Sequence, residues 1–266
     1  MDLKDRIIVF AHIQKTGGKS VAGALRHTIG QHRCLYLREQ KVENVRSSRA
    51  AELGVLALVE WRKVIATTQR SHYLLPRGWN GSLDEIALLH GHFCIGQEPQ
   101  TGRRPTYLSV VREPIDRFLS CFHFRLDQLN AAQRANRLSP SHPMIKPLGR
   151  PPESPQEFLR LLEASGAKNW RNSQCRYFSP AGTFEAARRV IETRDVITAP
   201  MTRLAAFAET VSGRLGIEPL EVGHLNRGKS RAGASSESLS SADTAAIRRH
   251  FEEDQRLYDY VYAQKS

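Results

Sequence analysis

Ile7-Ile8-Val9-Phe10-Ala11-His12-Ile13-Gln14-Lys15-Thr16-Gly17-Gly18-Lys19-Ser20-Val21 decides the fold. An apolar, β-branched run comes first, then a short polar turn with two glycines. Val21, Ala24, Leu25 and Thr28 or Ile29 then recur at helical spacing. The spacing predicts strand, tight loop and helix. Paired glycines let a backbone turn sharply and approach a ligand. The first amides of a helix lack intrahelical acceptors, and the helix dipole places partial positive charge there. With Lys15 and Lys19 added, the loop is a candidate phosphate cradle. It is not the nucleotide-hydrolase pattern G-x-x-x-x-G-K-[ST]. Gly18-Lys19-Ser20 fits the end of that pattern, but position 13, where its first glycine belongs, is Ile13.

Outward from the loop, apolar runs alternate with helical patterns. A polar, basic stretch spans Gln31 to Arg49. Leu53, Leu56, Ala57, Val59, Trp61 and Val64 mark a predicted helix, and Thr67 to Ser82, with Pro76, Gly78 and Gly81, reads as loop. Ile86 to Phe93 predicts a buried strand with a polar end. Tyr107-Leu108-Ser109-Val110-Val111 predicts another, followed by a helix with Pro114 in its first turn and Ile115, Phe118, Leu119 and Phe122 on one face. Residues 130–155 contain six prolines and little periodicity, and read as an exposed insertion or lid. Helices are expected over Gln156–Ala164, Phe184–Glu192 and Leu204–Leu215, with a strand at Asp195–Thr198. A last helix turns Ile247, Phe251, Leu257, Tyr258 and Val261 inward, and residues 228–243 read as a mobile loop. Strands alternating with helices predict an α/β fold: a mainly parallel central sheet flanked by helices.

The formal net charge of +12 favours anionic partners without choosing among them. Cys34, Cys94, Cys121 and Cys175 stand far apart, with no C-x-x-C pair and no metal-ligand spacing. That suits a reducing compartment. The first residues, Met1-Asp2-Leu3-Lys4-Asp5, do not have the pattern of a secretory signal, and no apolar run is long enough to span a bilayer. The expected location is cytoplasmic.

Three short phrases carry chemistry besides the loop. In Val111-Arg112-Glu113-Pro114-Ile115-Asp116-Arg117-Phe118-Leu119-Ser120, an arginine at a strand end precedes a serine two helical turns on. A guanidinium fork matches the oxygens of a phosphate monoester, and a hydroxyl adds a neutral donor. On its own terms the same phrase reads as an arginine pairing with Asp116 and a serine facing solvent, with Arg117 in a surface salt bridge. His90-Gly91-His92 ends a predicted strand, where ligands gather in open α/β sheets. Histidine suits removal of a proton from a sugar hydroxyl near neutral pH. His92 is the first choice as base and His90 the second. Asn172, Gln174 and Arg176 share one face if their segment is extended, although packing of Trp170, Tyr177 and Phe178 explains the phrase as well.

His12-Ile13-Gln14-Lys15-Thr16-Gly17-Gly18 resembles the 5′-phosphosulfate loop of carbohydrate sulfotransferases, in the branch of the heparan sulfate 2-O- and 6-O-sulfotransferases. The arginine–serine phrase resembles that family's 3′-phosphate motif. Leu89-His90-Gly91-His92-Phe93 resembles the catalytic histidine segment of the 2-O branch, whereas Gln14 resembles the 6-O branch. The resemblance runs from Ile7 to Tyr262, with Lys19 where the family usually has Thr or Ser. It implies a soluble, bacterial-type member with a P-loop-like sulfotransferase fold in one domain, 1–266. It also implies 3′-phosphoadenosine 5′-phosphosulfate (PAPS) as donor, 3′,5′-adenosine bisphosphate (PAP) as product, and no metal. Lys15, Thr16, Gly17, Gly18, Lys19 and Ser20 would hold the 5′-phosphosulfate, and Arg112 and Ser120 the 3′-phosphate. Lys229 and Arg231 would lie in a basic loop that closes over the nucleotide. Lys15 would also act in catalysis with the histidine, and Asn172, Gln174 and Arg176 would meet the acceptor, a carbohydrate or glycolipid hydroxyl. Two readings stand beside it: a P-loop-type nucleotide kinase or hydrolase, and a non-enzymatic binder of anionic glycans or nucleic acid, which the paired motifs disfavour.

Overall fold

In a computed structural model, the described residues are 5–41, 64–67, 71–74, 83–142, 144–164, 170–223 and 239–264. The decisive stretch folds as its pattern requires. β1 spans Arg6–Ala11 and α1 spans Gly18–Ile29. Strand alternation sends β1 side chains to two faces. Ile7, Val9 and Ala11 enter one apolar cluster, and Ile8 and Phe10 the other. Val21, Leu25 and Ile29 of α1 seal the second cluster, so Ile29 rather than Thr28 completes the buried stripe.

β2 (Cys34–Lys41), β3 (Val64–Thr67), β4 (Ser71–Leu74), β5 (Leu88–Gly91), β6 (Arg104–Val111) and β7 (Val196–Pro200) complete a seven-stranded sheet in the order β3-β4-β2-β5-β1-β6-β7. The five strands from β2 to β7 in that order pair in parallel. β3 and β4 add an antiparallel edge, with β4 against β2. This is the α/β class the alternation predicts. β1 lies in the middle, with β5 on one side and β6 on the other, so the segments leaving these three strands converge at one end of the sheet. Crevices at such switch points hold ligands in open α/β sheets.

The helices are α2 (Pro114–Arg134), α3 (Pro155–Ala164), α4 (Ser173–Phe178), α5 (Phe184–Thr193), α6 (Leu204–Leu215), α7 (Ser241–His250) and α8 (Glu252–Ala263). α1 and α6 cover one sheet face, while α4, α5 and α8 cover the other. A third cluster joins α2, α3 and α7 through Phe118, Phe122, Phe158, Ile247 and Phe251. At the start of α2, Pro114 stands in the first turn and the Glu113 side chain accepts the Asp116 amide at 2.7 Å.

Several expectations need correction. The polar stretch from Gln31 contains β2, whose buried Leu35 and Leu37 alternate with an exposed Tyr36. Val64 opens a strand rather than closing a helix, and β4 interrupts the loop expected over Thr67 to Ser82. β-Branched and aromatic residues favour strands at both places. Residues 51–63 and 228–238 lie outside the described residues. α2 runs on to Arg134, past the expected start of the insertion, because Ala131-Ala132-Gln133-Arg134 are good helix formers. The loop expected through residue 243 ends earlier, where Ser240 caps α7 by accepting the Asp243 amide. The final helix is two helices, divided at Phe251.

Candidate functional site

The loop between β1 and α1 is built by two conformations that side chains usually avoid. Lys15 has φ 68° and Gly17 has φ 82°. Holding a lysine there costs about 1 kcal/mol or more, a strain typical of ligand-binding turns. Gly18 is required for another reason: a Cβ at that position would lie 1.9 Å from the His12 ring. Buried Thr16 turns its hydroxyl to the Ile13 carbonyl at 2.9 Å. α1 then begins with no side-chain cap and no acidic residue in its first turn. The exposed Lys19 stands in that first turn, and the His12 ring packs against Gly18. The Ser20 and Val21 amides both donate to the Gly17 carbonyl, at 3.0 and 3.4 Å.

Three histidines meet beside this loop. The His92 ring lies 4.5 Å from that of His12, centre to centre, and its Nδ1 is 2.6 Å from the His12 carbonyl oxygen. A carbonyl only accepts, so Nδ1 carries the proton, and the neutral ring keeps its lone pair on Nε2. Burial pushes His92 below the ordinary histidine range; the bond to the His12 carbonyl opposes this, and Lys19 adds to it. His12 stacks on Phe10 at 5.7 Å. Burial first, then His92, His90 and Lys19, hold it down at about 3. His90, buried beside Tyr36, is lowered to about 4 by burial, then by Arg26 and His92. β5 ends at Gly91, so the two histidines of His90-Gly91-His92 do not share one strand face: His90 is in the strand and His92 in the bend beyond it. His92 is the less buried of the two. Among the described residues no group of His, Cys, Asp and Glu side chains could hold a metal ion. The four cysteines are free thiols.

Across the loop, Arg112 follows β6 and donates from Nη1 to the Lys15 carbonyl at 3.3 Å. The Lys15 ammonium lies 4.5 Å from the centre of the Phe124 ring on α2. Burial lowers its pKa, Cys121 and Asp127 raise it, and Lys19 and Arg112 lower it further. Lys15 thus lies within reach of the charges of both Lys19 and Arg112. Half-buried Ser120 stands in the second turn of α2. Arg117, expected in a surface salt bridge, is instead buried. Its Nε donates to the Gln14 carbonyl at 2.9 Å and its Nη1 to the Ser173 hydroxyl at 2.7 Å.

The segment holding Asn172, Gln174 and Arg176 is not extended. Residues from Ser173 form α4, which scatters the three side chains. Asn172 accepts the Glu253 amide at 3.2 Å. Gln174 is fully buried and grips both sides of the Arg112 peptide, at 2.9 and 2.8 Å. Arg176 donates to the carbonyls of Arg171 and Pro180. Lys229 and Arg231 lie outside the described residues.

No family model and no curated protein matches the chain. Among solved structures it is similar to mouse sulfotransferase SULT7A1 complexed with PAP, at 13% identity and a TM-score of 0.40. The match covers 92% of this chain and 63% of that one, so this chain spans less than two thirds of its length. A likeness of this size carries no assignment.

The site's own chemistry has two halves. One half, Lys15, Lys19, Arg112 and the start of α1, suits a multiply charged anion. The other offers an imidazole nitrogen with an available lone pair. Sequence reasoning named most of both halves, and Arg117 as fitting the family phrase, but left out His12, Phe124 and the buried role of Arg117. His12 had a signal: a histidine directly after an apolar strand and six residues before a glycine. The other two act through contacts distant in sequence, which spacing does not reveal.

Proposed function

We propose that the chain is a sulfotransferase that uses PAPS and transfers its sulfuryl group to a hydroxyl of a carbohydrate or glycolipid. The observation that carries this reading is the His92 tautomer: Nδ1 is committed to the His12 carbonyl, which leaves Nε2 as an acceptor beside a cationic phosphate loop. The donor set fits the nucleotide, since α1 starts with no acidic residue and Lys15, Lys19 and Arg112 stand near it. The carbohydrate acceptor rests on the resemblance of the loop and of His90-Gly91-His92 to carbohydrate sulfotransferase motifs.

When bound, PAPS supplies the sulfuryl group and a nucleotide leaving group. His92 Nε2 takes the acceptor proton as the hydroxyl oxygen bonds to sulfur. Lys15, Lys19 and the first amides of α1 stabilise charge growing on the leaving 5′-phosphate as the sulfur–oxygen bond to it breaks. Arg112, with Ser120, holds the 3′-phosphate. His90, more buried and lowered to about 4, is the second candidate for the base. Positioning and electrostatics supply most of the acceleration, as in phosphoryl transfer.

Calorimetric titration with PAP, beside ADP and ATP with Mg²⁺, tests the reading. PAP should bind best, and Arg112→Ala should weaken it about 10- to 100-fold, the loss expected for charge-assisted hydrogen bonds. Binding of ATP alone would favour a kinase. If no nucleotide bound, an anionic glycan binder would replace the enzyme.

A further inference from the structure

Beneath the anion-facing surface lies a buried polar relay that the reaction does not use. Asp254 of α8 is fully buried. Its Oδ2 accepts the Gln174 amide at 3.0 Å and its Oδ1 the Cys175 amide at 2.8 Å. These amides belong to the first turn of α4, where Asn172 supplies no side-chain cap. Asp254 thus caps α4 from another helix. Gln174, held this way at its backbone, accepts the Arg112 amide and donates to the Arg112 carbonyl. Arg117 crosses the same layer. It links Ser173 to the Gln14 carbonyl. Burial raises the pKa of Asp254, and the charge of Arg117 and the two amide bonds oppose this.

A fully buried carboxylate is costly, and apolar residues of similar volume fill a core as well or better. What a satisfied polar network adds is a fixed geometry. Here the geometry fixed is that of the Arg112 backbone and of the loop carbonyl at Gln14. We infer that Asp254 and Gln174 are positioning residues that aim the Arg112 guanidinium at its anion, although neither is exposed to touch it. This rests on the proposed reading of Arg112 as a ligand of the 3′-phosphate.

The test compares affinities for PAP and for adenosine 5′-phosphate, which lacks the 3′-phosphate, by calorimetry on the full chain. The wild type should prefer PAP. Gln174→Met keeps the volume and removes both bonds to Arg112. It should weaken PAP about tenfold and adenosine 5′-phosphate by less than about threefold. Asp254→Asn, which turns an NH₂ toward an amide N–H, should show the same selective loss. The ratio of the two affinities is insensitive to the fraction of protein folded, so a purely structural role would leave it unchanged. A wild-type ratio in either variant, or an equal loss of both ligands, would overturn the inference. Should Asp254→Asn fail to fold, Gln174→Met decides. A wild type without preference for PAP would overturn the cofactor reading itself, and that is seen before any substitution is made.

Discussion

At the scale of single residues, the site turns on which nitrogen of His92 is free. The bond to the His12 carbonyl answers this without any ligand: Nδ1 donates, so Nε2 accepts. Burial, the largest effect, and the charge of Lys19 keep the ring neutral against the opposing pull of that bond. A general base works in its neutral form, and a lowered pKa extends that form to lower pH. The acid limb of kcat/KM for sulfuryl transfer should therefore lie below the ordinary histidine value of about 6.5. His92→Ala should reduce turnover about 100-fold or more, remove that limb and leave PAP affinity nearly unchanged. Rate measurements from pH 4 to 8 check both outcomes. A limb above the ordinary value would contradict the geometry, and unchanged turnover in both His92→Ala and His90→Ala would remove histidine from the mechanism.

At the scale of elements, β1, its loop and α1 act as one unit through the contact between His12 and Gly18. A methyl group at position 18 would overlap the imidazole, so the ring must move. The ring belongs to the residue whose carbonyl orients His92, and disturbance at the helix start reaches the base by that route. Gly18→Ala should destabilise the fold by about 1–3 kcal/mol, the usual cost of overpacking. In a His12→Ala background the clash is gone, and the same substitution should cost much less. Denaturant unfolding of the two single variants and the double variant measures this coupling; additive costs would show that the overlap is relieved elsewhere. This unit was legible in the sequence because strand, glycines and helix are consecutive. α2 was legible for the same reason, from Pro114 to its apolar face. β2 and β4 were not: in an eight-residue strand ending Arg38-Glu39-Gln40-Lys41, or a four-residue one, local pattern gives way to pairing with partners distant in the chain. Gln174 shows the same limit at the site. A polar residue between Ser173 and Cys175 gives no sign that its amide will grip a peptide 62 positions earlier.

At the scale of the whole molecule, the histidine cluster ties global stability to pH. No helix among the described residues is long and apolar enough to cross a membrane. Unfolding returns His12 and His90 to water, where each binds a proton near the ordinary value of about 6.5. In the folded chain they bind one only near 3 and near 4. Between these limits the unfolded state holds more protons, so stability rises with pH. The contribution is complete above the unfolded pKa and is lost as pH falls toward the folded values. Well inside the window each histidine adds a slope approaching about 1.4 kcal/mol per pH unit. Carboxylates also titrate near the lower end, so the diagnostic quantity is a difference between variants. His12→Leu should flatten the fall in unfolding free energy between pH 6.5 and 4 relative to wild type, whatever its effect at pH 7.5. Denaturant melts across that range measure it. Parallel curves for variant and wild type would mean that His12 takes up a proton in the folded protein, and such a ring could not be packed against His92 as described.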